Sequence, residues 1–329
     1  KGKYAAPRGF FEAARSAREQ GHADHSDGGR GHGRLFGARL AAAGHEVTLV
    51  ARGAHLAALQ EHGLRLHSPK GDLHLPGVRA VADVGAAGQA DVILFTVKNG
   101  DLEAAAASLK PTLREETMVV TCQNGVSAPD RLAGIIGKPH VVPGVARLPG
   151  DIEAPGVIRH SAPFDMLSFG EADGGQSPRC DAFAAALEGA GCMVQQPANI
   201  RHDLWAKFVM QASFASVTAL TRLDIGPLRE SAESAGLIRE SMAETEAVGR
   251  AVLPDLPQGL ADTAWGLLSE KLPPTTHASM LDDLNRGKPI ETAYLSGDVV
   301  RLGAKHGVAT PIHATFARLL APYAAGPPA

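Results

Sequence analysis

Lys207, Lys98 and Asn124 stand at positions where a folded chain can present a reactive group. Lys207 interrupts the apolar helical run LWAKFVMQASF, and a lysine held near apolar surface can donate a proton or polarise a carbonyl. Lys98 and Asn124 end two apolar runs, DVILFTV and TMVVTCQ, which are typical of strands in a parallel sheet. Because ligands bind at the carboxyl edge of such sheets, we predict a site there. The alternatives are a snorkelling lysine at 207 and simple strand-end polar residues at 98 and 124.

Arg52, Ser279 and Glu291 are weaker candidates. Arg52 directly follows the strand EVTLV, where a doubly wound fold meets an adenosine ribose; an arginine suits a 2′-phosphate, so it favours NADP over NAD. A solvated loop arginine is the alternative. Ser279 and Glu291 flank the segment HASMLDDLNRGKPIE, but spacing alone assigns them no function. A carboxylate at a helix start gains about 0.3–1 kcal/mol from the helix dipole in any protein.

Composition excludes several functional classes. The chain has 329 residues, 44% hydrophobic residues and a net charge of -3, so electrostatics give no case for nucleic acid or an anionic membrane. No apolar run approaches the roughly 20 residues of a membrane span. The three cysteines are widely spaced and form no metal-ligand pattern, which suits a reducing cytoplasm and predicts no metal site. The basic first twenty residues resemble a transit peptide, but we favour an accidental or non-native extension because of the sequence that follows them.

The positions of strands and helices predict an α/β, doubly wound fold followed by an all-helical region. Strand and helix patterns alternate through the first half, and after Pro197 only helical spacing remains. Helical spacing covers 199–222, 236–252, 258–271, 276–286, 290–306 and 311–322. We therefore predict an aberrant segment at 1–33, a nucleotide-binding domain at 34–198 and a helical domain at 199–329.

The N-terminal segment departs from the pattern of a dinucleotide-binding fold. Residues 34–50 read as its first helix and second strand, but the preceding GHADHSDGGRGHG is polar and contains no strand-like run. The glycine positions of the phosphate-binding turn fall on Gly28, Arg30 and Gly33, and a side chain at Arg30 should clash with a pyrophosphate. We expect residues 1–33 to lack the first strand and to pack poorly, with at most a helix over Phe10–Gln20.

Taken together, these segments resemble the ketopantoate reductase (2-dehydropantoate 2-reductase) family. The matching segments are GARLAAAGHEVTLVARG, ADVILFTVK, QNGV, LWAKF, SMLDDLNRGKPIE and TPIH. They come in the family's order and cover roughly residue 34 to the C-terminus. The resemblance implies a Rossmann-type domain, a helical domain like that of 6-phosphogluconate dehydrogenase, and a cytoplasmic homodimer. It also implies reduction of the C2 carbonyl of a small-molecule 2-oxo acid by NADPH.

The resemblance also implies roles for single residues. Lys207 would be the general acid, and Asn124 and Glu291 would hold cofactor and substrate together. Ser279 would bind the polar end of the substrate. Arg52 and Lys98, with the glycine positions Gly28 and Gly33, would contact NADPH. A cation beside the carbonyl oxygen stabilises the charge that develops as hydride arrives.

Two departures from the family pattern leave alternatives open. Members specific for ketopantoate carry asparagine one and two turns after the catalytic lysine, where this chain has Gln211 and Ala215; a related 2-oxo acid is therefore a second candidate substrate. The damaged glycine turn suggests a non-catalytic remnant as a third interpretation.

Reading the codons from residue 22 with the frame advanced by one base permits an apolar strand and Gly-Ala-Gly-Ala-Met-Gly. We therefore hypothesise that residues 1–33 are mistranslated, which the coding DNA can test.

Overall fold

The computed structural model describes residues 10–13 and 31–328, and of residues 10–13, 31 and 32 only the backbone. The chain divides into two compact units. The α/β unit lies within residues 1–123 and 128–201, and the helical unit comprises 124–127 and 202–329. The four-residue segment 124–127 thus belongs to the helical unit although α/β sequence flanks it on both sides.

An eight-stranded sheet forms the centre of the α/β unit. In spatial order its strands are β5 (Arg79–Val81), β2 (Val47–Val50), β1 (Phe10–Ala13), β6 (Val92–Phe95), β7 (Met118–Thr121), β8 (Val141–Arg147), β11 (Met166–Phe169) and β12 (Met193–Gln195). The first six are parallel, and β11 runs antiparallel to β8. Renumbered by sequence, the six parallel strands have the order 3-2-1-4-5-6, which is that of doubly wound dinucleotide-binding folds.

Strand β1 corrects our expectation for the N-terminus. We expected no first strand in residues 1–33 and at most a helix over Phe10–Gln20. Phe10–Ala13 is instead a strand that pairs in parallel with both β2 and β6, at the central position of the sheet. The remainder of the expected helix, 14–20, lies outside the described residues. The sequence pattern did not indicate this strand because seventeen residues separate FFEA from the first helix, whereas the family pattern places the first strand directly before that helix.

Both faces of the large sheet are covered. Successive residues of β6 alternate between two hydrophobic clusters: Val92 and Leu94 belong to one cluster, and Ile93 and Phe95 to the other. The unit's helices are α1 (Gly31–Ala42), α2 (Gly53–His62), α3 (Val84–Ala87), α4 (Leu102–Leu109), α5 (Ala128–Ile136) and α6 (Pro178–Gly189). This arrangement explains why the strands are apolar on both faces.

A smaller sheet completes the α/β unit. Its strands, in spatial order, are β4 (Leu73–Leu75), β3 (Leu64–His67), β10 (Val157–His160) and β9 (Gly150–Ala154). Gly63, which ends α2, has a φ of 74°, and a Cβ there would lie 2.3 Å from the Leu75 carbonyl oxygen. Only glycine fits this junction between helix and sheet.

The helical unit is organised around α7. Its helices are α7 (Ile200–Thr221), α8 (Ile225–Glu230), α9 (Ala232–Val252), α10 (Leu260–Gly266), α11 (Ser279–Asn285), α12 (Ser296–His306) and α13 (Pro311–Leu320). One side of α7 contributes Phe208 and Ala212 to one hydrophobic cluster, and the other contributes Val209 and Phe214 to a second.

One predicted helix of this unit is wrong. We expected a continuous helix over 290–306, but the structure has a short 3₁₀ turn at Thr292–Tyr294 followed by α12. The backbone at Leu295, with φ −112° and ψ −99°, breaks the helix there. Among the described residues, no helix has both the length and the apolar character that a membrane crossing requires.

Candidate active site

The central contact of the candidate site joins α7 to the segment 124–127. The Lys207 ammonium donates a hydrogen bond to the Asn124 side-chain oxygen, Nζ to Oδ1, over 3.2 Å. Asn124 is only 6% exposed, whereas Lys207 is half-buried. Since the amide is neutral, this contact orients the ammonium without neutralising it. A fixed ammonium at this position can protonate or polarise a carbonyl oxygen.

The segment 124–127 packs closely on the residues before α12. Gly125 has a φ of 92°, and a Cβ there would lie 2.7 Å from the Tyr294 carbonyl oxygen. Val126 packs against the same hydrophobic cluster as Phe208. Ser127 Oγ donates to Asp298 Oδ2 at 2.5 Å. Asn124 therefore sits on a short segment that the helical unit holds at three successive residues.

Glu291 lies three residues before Tyr294, the residue whose carbonyl oxygen faces Gly125. It is 8% exposed, and its backbone oxygen accepts a hydrogen bond from Tyr294 N. Tyr294 is the residue that contacts Gly125. The structure therefore brings the backbone segment that carries Glu291 against the segment that carries Asn124.

Two further candidate residues lie on helices of the same unit: Gln211 is on α7 with Lys207, and Ser279 begins α11. Gln211 lies one turn after Lys207 on α7, so the two side chains share a helix face. The Oε1 atom of Gln211 is buried, and no described residue forms a hydrogen bond with it. Ser279 is exposed at the first residue of α11, and the next residue, Met280, packs in the cluster that contains Phe208.

His277, two residues before Ser279, has a pKa that is raised above its ordinary value. His277 contacts Asp224 at 2.7 Å and Asp282 at 3.2 Å. Burial opposes its protonation, but the hydrogen bonds to Asp282 and Asp224 outweigh that effect and raise the pKa of His277. The contacts of His277 with Asp224 and Asp282 fix the turn that leads into α11.

In the α/β unit, Arg52 and Lys98 follow the carboxyl ends of two parallel strands. Arg52 lies two residues after β2, in extended backbone at the start of α2. Lys98 lies three residues after β6, at the start of a 3₁₀ turn over Asn99–Asp101. Arg131 of α5 fixes that turn: its guanidinium donates to the Asn99 side-chain and backbone oxygens at 3.1 and 2.8 Å. Arg52 and Lys98 are both half-buried.

Gln123, which we did not single out from the sequence, reinforces the carboxyl edge of the sheet. Its side-chain amide donates to the backbone oxygens of Phe95 and Val97 at 2.8 and 3.1 Å. Its Oε1 is buried and has no hydrogen-bond partner among the described residues, and an unsatisfied buried acceptor is rare in native proteins. The Gln123 side chain thus ties the end of β7 to the residues that end and follow β6.

The predicted glycine positions are only partly described. Gly33 lies in the first turn of α1 and is buried. Gly28 and Arg30 lie outside the described residues. Among the residues that the structure does describe, no group of three or more His, Cys, Asp or Glu side chains could hold a metal ion.

Two further site residues escaped the sequence analysis. Ser127 and Asp298 are 171 positions apart, and neither belongs to a spacing pattern that indicates chemistry. Gln123 had a signal, since it begins the QNGV segment that we matched to a family. Only the folded chain shows what each of these side chains contacts.

Comparisons with known proteins agree on one family. The family model of ketopantoate reductase PanE/ApbA matches residues 28–174, and that of its C-terminal region matches residues 199–324. The 2-dehydropantoate 2-reductase of Mesorhizobium japonicum is 32% identical over 292 residues, which cover 82% of this chain and 88% of that protein.

Solved structures show the same fold. A crystal structure of a PanE/ApbA family ketopantoate reductase from Ralstonia eutropha JMP134 has a TM-score of 0.84 at 30% identity, covering 95% of this chain and 97% of that one. A ternary structure of D-mandelate dehydrogenase with NADH and anilino(oxo)acetate has a TM-score of 0.81 at 18% identity, with coverage of 95% and 97%. At that identity the second likeness concerns the fold alone.

Proposed function

Because the chain belongs to the ketopantoate reductase family, we propose that it reduces the C2 carbonyl of a 2-oxo acid with NADPH. The first candidate substrate is 2-dehydropantoate, which would be reduced to pantoate, and by resemblance the enzyme would be a cytoplasmic homodimer. The contact between Lys207 and Asn124 is the observation that supports this proposal most strongly. It gives a half-buried ammonium a fixed direction, as a general acid requires.

When bound, the nicotinamide cofactor would supply the hydride that C2 accepts, and Lys207 would supply the proton that the carbonyl oxygen takes up. An ammonium has three N–H donors. Asn124 accepts one of them, and this fixes the directions in which the others point. The same cation stabilises the negative charge that grows on the oxygen before the proton transfers.

The other residues would bind and orient. Asn124 and the buried carboxylate of Glu291 would hold cofactor and substrate together, and Ser279 would bind the polar end of the substrate. Arg52 and Lys98 would bind NADPH, with Arg52 placed for the 2′-phosphate because it follows β2. The glycine positions Gly28 and Gly33 would lie at the phosphate-binding turn.

A specific observation favours a second candidate, the reduction of a different 2-oxo acid. Gln211 has a longer side chain than the asparagine of ketopantoate-specific members, and its buried Oε1 has no partner in the part of the chain that the structure describes. Ala215, one turn further along α7, is 1% exposed and offers no hydrogen bond to a substrate. Changing buried hydrogen-bonding partners can shift substrate preference by orders of magnitude.

Steady-state assays with a panel of 2-oxo acids test these proposals. Purified protein is mixed with NADPH or NADH and each acid, including 2-dehydropantoate and an arylglyoxylate, and oxidation of the cofactor is followed. We expect oxidation of the cofactor with at least one acid, with a preference for NADPH, and a rate about 10²–10⁴-fold lower in Lys207→Ala. The acid with the highest kcat/KM distinguishes the two candidate substrates.

The same protein tests the interpretation as a non-catalytic remnant. A ligand at 100 times its dissociation constant adds about 2.7 kcal/mol to the free energy of unfolding. We therefore expect NADPH to raise the melting temperature. No shift at saturating NADPH, with no oxidation of NADPH in the presence of any of the 2-oxo acids, would support the remnant.

A further inference from the structure

Within the helical unit, the half-buried Ser127 bonds to the buried Asp298, and the proposed reaction does not use this contact directly. Ser127 Oγ lies 2.5 Å from Asp298 Oδ2, and Asp298 is 4% exposed. A hydroxyl that donates to a carboxylate makes a charge-assisted hydrogen bond, which is stronger than a neutral one. Burying a carboxylate is costly unless it is well bonded. The hydrogen bonds that Asp298 accepts therefore decide whether a carboxylate is tolerated at this position.

Asp298 is itself held in place from its own helix. Its Oδ1 accepts hydrogen bonds from Arg301 Nε and Nη2 at 3.1 and 2.8 Å. Arg301 lies three residues further along α12, and its side chain is 55% exposed. One carboxylate oxygen thus points to the arginine and the other to Ser127. The orientation of the carboxylate is fixed from both sides.

The contact bears on Asn124 because Ser127 ends the same short segment. Asn124 accepts the hydrogen bond from Lys207, and Gly125 packs on the Tyr294 carbonyl oxygen. Asp298 lies four residues after Tyr294, at the third residue of α12. The segment is therefore attached at one end to α12 and at the other end to α7.

We propose that Ser127 and Asp298 are positioning residues that hold Asn124 in register with Lys207. This inference rests on the proposed role of Lys207 as the general acid. Without the Ser127–Asp298 bond, the segment stays packed through Gly125 and Val126, but its end is released from α12. Asn124 then fixes the orientation of the Lys207 ammonium less strictly. As a result the proton transfer slows, while substrate and cofactor still bind.

The test measures kcat, KM and NADPH affinity for Ser127→Ala, Ser127→Thr and Asp298→Asn in the full chain. Displacing a catalytic group by about 1 Å can cost up to about 100-fold in rate, and we expect Ser127→Ala to lower kcat about tenfold. KM and the NADPH dissociation constant should stay within about twofold. Ser127→Thr keeps the hydroxyl and should recover most of the rate. Ser269→Ala is the matched control, because this half-buried serine donates to the Trp265 backbone oxygen four residues earlier, outside the candidate site.

A double-mutant cycle with Asn124→Ala separates positioning from general destabilisation. If Ser127 acts through Asn124, Ser127→Ala should lower kcat in the wild-type chain and have no further effect in the Asn124→Ala background. Melting temperatures of the four proteins are measured alongside, since a structural effect would lower them in both backgrounds.

The outcomes separate this inference from the proposed function. Wild-type kcat in both Lys207→Ala and Asn124→Ala would contradict the proposed function. If those two variants lose activity, wild-type kcat in Ser127→Ala and Asp298→Asn would overturn the positioning role alone. An equal loss of kcat from Ser127→Ala in both backgrounds would overturn it too.

Discussion

Lys70 of the α/β unit and Lys207 of the helical unit are both half-buried lysines, but their surroundings differ. Lys70 Nζ donates to both carboxylate oxygens of Asp165, at 2.8 and 2.9 Å, and to the Gly191 backbone oxygen at 2.5 Å. Lys207 Nζ donates to the neutral amide of Asn124. A carboxylate partner cancels the charge of an ammonium, whereas an amide only orients it. The hydrogen bond to Asn124 can therefore orient the Lys207 ammonium, whereas the Lys70 ammonium forms an ion pair with a fully buried carboxylate.

The comparison predicts a large loss of stability at Lys70. In Lys70→Met the fully buried Asp165 loses its cation, and an uncompensated buried carboxylate costs about 3 kcal/mol or more. We expect the free energy of unfolding to fall by about that amount, while kcat of the remaining folded protein stays at the wild-type value. Denaturant unfolding monitored by circular dichroism, paired with kinetics, gives both quantities. A loss of kcat without a loss of stability would remove the distinction between the two lysines.

Acid should destabilise both units through buried neutral histidines. Burial lowers the pKa of His313 to about 4, and burial, aided by the charge of Arg34, lowers the pKa of His55 to about 3. Because these native pKa values lie below the unfolded value of 6.5, the stability from each neutral ring is complete above about pH 6.5. It is lost as the pH falls toward the native pKa.

The variant His313→Gln isolates one of these two contributions. A shift from 6.5 to about 4 corresponds to roughly 3 kcal/mol. We expect the free energy of unfolding of the wild-type chain to fall more steeply between pH 6.5 and 4 than that of His313→Gln. Urea midpoints across this pH range measure the difference. Identical slopes would show that His313 is not a buried neutral ring.

A smaller effect is expected at Arg52, where the proposed role is cofactor selection. A hydrogen bond to a charged group contributes about 1.5–3 kcal/mol, so Arg52→Ser should weaken NADPH binding about 30-fold. NADH binding should change little, because NADH lacks the 2′-phosphate. Titrations followed by cofactor fluorescence provide both dissociation constants. Equal weakening of both cofactors would mean that Arg52 does not contact the 2′-phosphate.

Much of the fold could be predicted from apolar patterns. Strands β6 and β7 are continuous apolar runs because both of their faces are covered, and their positions follow from that alone. The pattern did not reveal β1, since FFEA is short and distant from α1, nor the break at Leu295, where backbone dihedrals interrupt an otherwise helical sequence. That residues 1–33 are mistranslated stays a proposal, which the coding DNA would refute if its shifted frame lacked an apolar strand.

The candidate site was less accessible to sequence reasoning than the fold. Lys207 and Asn124 each stood out locally, as a charge in an apolar helix and a polar residue after an apolar strand. Their contact spans 83 positions, and no periodicity indicates a pairing over that distance. Asp298 gave no signal because an acidic residue near a helix start is common in any protein.

The most direct test of the account is a single-turnover measurement on Lys207→Ala loaded with NADPH and mixed with the preferred 2-oxo acid. General acid catalysis contributes about 10²–10⁴-fold, so we predict hydride transfer slower by about that factor. NADPH affinity should stay within about twofold of the wild-type value. Wild-type transfer rates in this variant, with cofactor and acid both bound, would contradict the assignment of Lys207 as the proton donor.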